Sequence, residues 1–241
     1  GDTIYGFLAV LAAAEGDAGT ALERNARVAR SRLGGREERG AVLGQLAALP
    51  EERREEAAAA INMMVSFAVS GCTRAAVEEA ERLAELLPDE PLTACWRGAA
   101  LDRQGRQEEA VAAFEEAIAA DPGLIYAYRL LADSNVRAGD TDAAVATLER
   151  ALPHADADET ARLQFALGEL HREQGQIELA IAALRAAAEE PALAVAAYNT
   201  IAYLMVDEQG DAEGALPWAE RAEELAGRRP DVLDTLGWVH L

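Results

Sequence analysis

Metal ligation, thiol chemistry and acid–base catalysis each require particular side chains at particular spacings, and this chain offers few of them. Its three histidines are His154, His171 and His240. His171 and His240 fall at the same point of a repeating pattern, two layers apart, too far to share one ion. No Cys pair or His-x3-His spacing accompanies them, so no zinc site is expected. Cys72 and Cys95 should sit on neighbouring antiparallel helices, displaced by ~12 Å, from ~8 residues at 1.5 Å each. A disulfide needs Cα atoms within ~7 Å, and two free thiols are expected. Asp156, Asp158 and Glu159 could suggest calcium, but a calcium loop needs a central glycine and a longer run of oxygen ligands. Carboxylates opening a helix, favoured at the positive end of its dipole, explain them as well. The acid–base run from Glu51 to Glu56 reads the same way. No phosphate-binding glycine loop, nucleophile elbow or carboxylate pair in a pocket emerges. The sequence therefore predicts no catalytic residue, no cofactor and no metal.

The elements that would position any site are unusually regular. Gly71, Gly105, Gly139, Gly175 and Gly210 follow one another at intervals of 34, 34, 36 and 35 residues. Five residues after each stands an alanine: Ala76, Ala110, Ala144, Ala180 and Ala215. A fixed period in the thirties predicts a stack of helical hairpins in place of one central core. Small residues at Gly98, Ala132, Gly168 and Ala202 would let paired helices approach closely, with Phe114, Leu148 and Leu184 filling the space between layers. Helix stop and start signals agree: Asp121-Pro122, Pro50 before Glu51, and Asp231 after Pro230. No segment alternates with period two between hairpin turns, so no sheet is expected.

The clearest unit, PLTACWRGAALDRQGRQEEAVAAFEEAIAADP from Pro91 to Pro122, resembles the tetratricopeptide repeat. The same frame fits Tyr128, Leu131, Ala132, Gly139, Ala144, Leu148 and Ala151. It also fits Leu167, Gly168, Gly175, Ala180, Leu184 and Ala187, and then Tyr198, Ile201 and Ala202 with one extra residue before Gly210. Leu233, Leu236 and Gly237 open a further unit, while Tyr5, Leu8, Ala9, Gly16 and Ala21 suggest a degenerate first one. Departures include Arg97 in place of the usual apolar residue, Asp156 and Ala192 in place of the terminal proline, and Arg36 to Leu49, read as an inserted helix. The resemblance implies an all-α, right-handed superhelical solenoid of antiparallel hairpins. Its parts would be a degenerate repeat plus inserted helix at 1–56, the main array at 57–229, and the first helix of a further repeat at 230–241. Leu241 falls inside that helix, and residue 1 carries neither Met nor a leader, so the sequence reads as part of a longer protein.

In that family the first helices line an inner groove that holds a peptide or protein. Carried over position by position, the groove residues here are Trp96, Arg103, Tyr126, Arg129, Asp133, Arg162, Phe165, Glu169, Asn199 and Tyr203, with Asp102, Arg137, Arg172 and Asp207 beside them. Aromatic and arginine side chains are the usual anchors of interfaces; alternating charges could equally just solvate an inner helix face. The earlier unit offers instead an apolar strip at Ala58, Ile61, Val65, Ala68 and Val69, calling for a cover. The clamp by which some relatives hold a terminal carboxylate is absent, because Asp133 and Glu169 stand where it would need Asn. Leu236, Trp238 and Val239 would leave an apolar end that pairs with a second copy, a homodimer through terminal helices.

Charge narrows the partners. The chain has 43 acidic and 22 basic residues, net −21, and every basic residue is arginine. A GC-rich genome or adaptation to salt would each produce this balance. Nucleic acid is not an expected ligand, since phosphates would be repelled. No run of 18 apolar residues exists, so no membrane span is expected. The closing run YNTIAYLMVDEQGD … PDVLDTLGWV resembles the last repeats of bacterial envelope-associated tetratricopeptide proteins, some tied to exopolysaccharide export or outer-membrane assembly. That likeness favours the envelope (periplasm) over the cytoplasm. The expected function is a non-catalytic scaffold; the alternative is a regulatory or substrate-docking module of a larger enzyme.

Overall fold

The computed structural model describes residues 72–88, 90–226 and 229–240, with positions 50, 56, 57, 60 and 61. The expected first repeat around Tyr5 to Ala21 and the inserted helix from Arg36 to Leu49 lie outside the described residues, as do Ala58, Val65, Ala68 and Val69. Among the described residues every regular element is helical and no strand occurs.

The chain divides into two compact units, the first ending at Ala138 and the second beginning at Gly139. The first contains α1 (Thr73–Leu86), α2 (Pro91–Arg103), α3 (Gln107–Ala120) and α4 (Ile125–Arg137). Each helix packs against the next, and α2 also touches α4. The second contains α5 (Thr141–Ala151), a short 3-10 turn at Leu152–His154, then α6 (Ala157–Glu173) and α7 (Ile177–Ala187), α8 (Pro191–Asp207) and α9 (Ala212–Ala226), and α10 (Pro230–Val239). There α6 pairs with α7 and α8 with α9, while α8 also lies beside α10.

The expected small residues make these pairings. Ala110, Ala144, Ala180 and Ala215 are all 0% exposed. A Cβ built on Gly98 would stand 2.6 Å from Phe114 Cε1, and one on Gly168 would stand 2.7 Å from Leu184 Cγ and 3.3 Å from the Ala180 carbonyl oxygen. Both distances are shorter than carbon atoms tolerate, so only glycine lets α2 meet α3, and α6 meet α7, at this separation. Gly105, Gly139, Gly175 and Gly210 have φ of 77, 80, 70 and 66°, the left-handed conformation that ends a helix and reverses the chain.

Departures from the repeat have local explanations. Arg97 reaches across the hairpin to pair with Glu116 of α3. The extra residue before Gly210 widens one turn. Arg106 and Gln176 donate to carbonyls five residues back, at Leu101 and His171, whereas Asp211 donates to Met205, six back. Asp156, lacking the expected proline's rigidity, forms a reciprocal cap instead. Its carboxylate accepts from Glu159 N at 2.8 Å, and Glu159 accepts from Asp156 N at 3.1 Å.

Candidate functional site

In the first unit, the open faces of α2 and α4 converge on a polar network. The Asp102 side chain is only 5% exposed. It accepts from Ser134 Oγ at 2.7 Å and pairs with Arg137. Gln107, at the start of α3, donates its amide to Ser134 Oγ at 2.8 Å and to the Ser134 carbonyl at 3.1 Å. Three helices are thereby tied through one buried carboxylate whose charge is compensated, as a buried charge requires. Asp133 keeps an exposed flank, but desolvation pushes its carboxyl above the ordinary range; Arg129 and Arg137 pull it down and Asp102 pushes it up. Arg103 and Arg129 are exposed and Tyr126 is half-buried.

Trp96 does not share this open face. It is 5% exposed, and its indole N–H has no hydrogen-bond partner among the described residues. The expectation of a groove tryptophan is corrected by its helix: Leu92, Thr93, Ala94, Cys95 and Trp96 are buried in succession. The N-terminal part of α2 is covered, and its open face begins only at Asp102 and Arg103.

In the second unit the residues of interest lie on α6, α8 and α10. Arg162 is exposed and pairs with Asp158, one turn earlier, at 2.7 Å. Phe165 is half-buried against a core of Ala180, Ile181, Leu184, Ala197, Ile201 and Leu204. Glu169 holds Arg172 at 2.7 Å, and this hydrogen bond raises the arginine's pKa further. On α8, Asn199 Oδ1 is buried without a hydrogen-bond partner among the described residues. One turn on, Tyr203 is 37% exposed and donates its hydroxyl to Asp207 Oδ2 at 3.1 Å. That hydrogen bond, followed by the carboxylate's charge, raises the Tyr203 pKa.

Tyr203 also meets α10. Its ring stands edge-on to Trp238, centroids 5.7 Å apart and planes at 78°, the geometry aromatic quadrupoles prefer. Trp238 remains 47% exposed. The expected apolar end is smaller than the sequence suggested. Val239 is 6% exposed, packed with Ala202, Ala215 and Ala219, and Leu236 is partly buried against the same cluster. Successive helical residues point ~100° apart, so Trp238 can face outward while Val239 faces α8 and α9.

Sequence reasoning missed the Ser134–Gln107 half of the first network, although a serine at a core position of the repeat was a usable signal. It also missed a second aromatic group. Trp218 lies 5.6 Å from Tyr198, and the Arg185 guanidinium sits 4.9 Å above its ring. No disulfide joins the cysteines; Cys72 is exposed and Cys95 buried. His171 Nδ1 is 2.8 Å from Gln176 Oε1. Among the described residues no group of His, Cys, Asp and Glu could hold a metal ion. None of the described helices is long and apolar enough to cross a membrane.

Comparison with known proteins completes the picture. Models of the tetratricopeptide repeat match residues 91–124, 129–194 and 165–230, together more than half of the chain. Among solved structures, MamA superposes with a TM-score of 0.56 at 20% identity, covering 68% of this chain and 94% of that one. MamA from Desulfovibrio magneticus RS-1 gives 0.55 at 20% identity, over 73% and 98%. YrrB, described as a TPR protein with an unusual peptide-binding site, gives 0.54 at 18% identity, over 78% and 96%. No curated protein matches the sequence. The repeat spacing, the glycine-lined hairpins and these matches agree that the chain belongs to the tetratricopeptide repeat family.

Proposed function

We propose that this chain is a non-catalytic interaction scaffold that takes a peptide or protein on the open face of its first helices. One observation carries the reading. Tyr203 and Trp238, large aromatic side chains from consecutive first helices, touch each other and still stay 37% and 47% exposed. Exposed aromatics beside an arginine–carboxylate pair are the composition of a binding hot spot. Arg103, Tyr126, Arg129 and Asp133 are the corresponding candidates of the first unit, and Arg162, Phe165, Glu169 and Asn199 those of the second. The peptide-binding description of YrrB accords with this use of the fold. A role in bacterial envelope or exopolysaccharide assembly rests on the likeness of the closing run alone.

Photo-crosslinking tests the face. p-Benzoylphenylalanine placed at Arg129 or Tyr203 should yield partner adducts in cells of the source organism. The same group at Glu178 or Glu220, exposed on second helices, should not. Adducts confined to the latter pair would move the interface to the outer side.

A further inference from the structure

The chemistry of the partner is written in what surrounds the aromatic pair. Asn199, Tyr203 and Asp207 recur every four residues, so they share one face of α8. Asp234 and Trp238 stand in the same relation on α10. With Tyr203 and Trp238 in contact, Asp207 lies one turn beyond the pair and Asp234 one turn before it. Both carboxylates are exposed. Arg172, whose charge reaches Tyr203, is already held by Glu169. The patch is therefore two open aromatic side chains between two acids, in a chain of net charge −21.

We propose that this patch docks a basic segment of a partner protein, with one Arg or Lys stacked on Trp238 and another paired with Asp207 or Asp234. The proposal rests on the inner-face reading above and gives it a ligand class. Charge complementarity supplies the argument. A cation over an indole is attracted by the ring's quadrupole, flanking carboxylates add to that attraction, and an acidic segment would meet Asp207 and Asp234 unfavourably. Trp238 and Asp207 are separated by ~6 Å along the helix axes and by ~9 Å between axes. An extended peptide crosses that distance in about three or four residues, which sets the spacing of the basic side chains.

The test uses the full chain and two fluorescein-labelled peptides, one with two arginines four residues apart in a Gly-Ser background, the other with glutamates instead. Anisotropy titrations should show binding of the arginine peptide, weakening as salt rises, and none of the glutamate peptide. Trp238→Ala and Asp207→Asn should each weaken binding at least fivefold with unchanged thermal melts. Glu178→Gln, which removes a charge from α7, should change it less than twofold. An equal loss with Glu178→Gln would overturn the proposal, because attraction would then be to overall charge. Preference for the glutamate peptide, no binding of either, or a parent that is dimeric through Trp238 and closed to peptide would overturn it as well. Partner adducts at Tyr203 alongside a failed arginine peptide would leave the inner-face reading standing and remove only the basic partner. Arginine-peptide adducts confined to Glu178 and Glu220 would remove both.

Discussion

Gly98, Gly168 and Gly237 occupy the same point of three repeats and meet different surroundings. The first two have no room for a methyl group, whereas a Cβ on Gly237 would meet nothing within 4 Å. Gly168→Leu should therefore destabilise the chain by ~1–3 kcal/mol through overpacking. Gly237→Ala should stabilise α10 by up to ~1 kcal/mol, the ordinary helix preference of alanine over glycine. Urea melts of both variants check this, and a loss below ~0.5 kcal/mol for Gly168→Leu would mean that the close approach is not there. Glu90 gives a second test. It is 5% exposed, Oε1 accepts from Leu92 N, and Oε2 has no hydrogen-bond partner among the described residues. Burial raises its pKa, so the folded chain favours the protonated form more than the unfolded chain does. Its contribution to stability is present at acid pH and is lost as pH rises through the raised value. Glu90→Gln keeps the capping oxygen without the charge. It should stabilise the chain at pH 7 by about 1 kcal/mol, a gain that disappears near pH 4; equal effects at both pH values would contradict it.

Element ends were the most legible feature of the sequence. Asp121-Pro122 closes α3, Pro230 opens α10, and Gly105, Gly139, Gly175 and Gly210 stand in turns with positive φ. The acids at Asp156 and Glu159 form the cap expected of carboxylates opening a helix. Asp156→Ala should cost about 1 kcal/mol in thermal denaturation, and an unchanged melt would show that the first turn of α6 is held by packing instead. Side-chain facing was less legible. Repeat position assigns a residue to one side of its helix, but coverage of that side depends on neighbouring helices, and so Trp96 is enclosed where Tyr203 is open. The network of Asp102, Ser134 and Gln107 depends on reach across three helices, which no periodicity encodes. Val239 shows how fine the limit is: one residue from Trp238, it belongs to the core.

At the scale of the molecule, stacked hairpins present rows of side chains from successive repeats. The central claim is that the row on the first helices does the binding. The most direct measurement takes a peptide selected by display against the parent chain and determines its affinity for the parent, Arg129→Ala and Tyr203→Ala, with a thermal melt of each. Truncating a hot spot typically weakens binding by ~2 kcal/mol or more, close to thirtyfold. The account predicts such a loss in at least one of the two variants with melting temperatures unchanged. Parent-like affinity in both would contradict it.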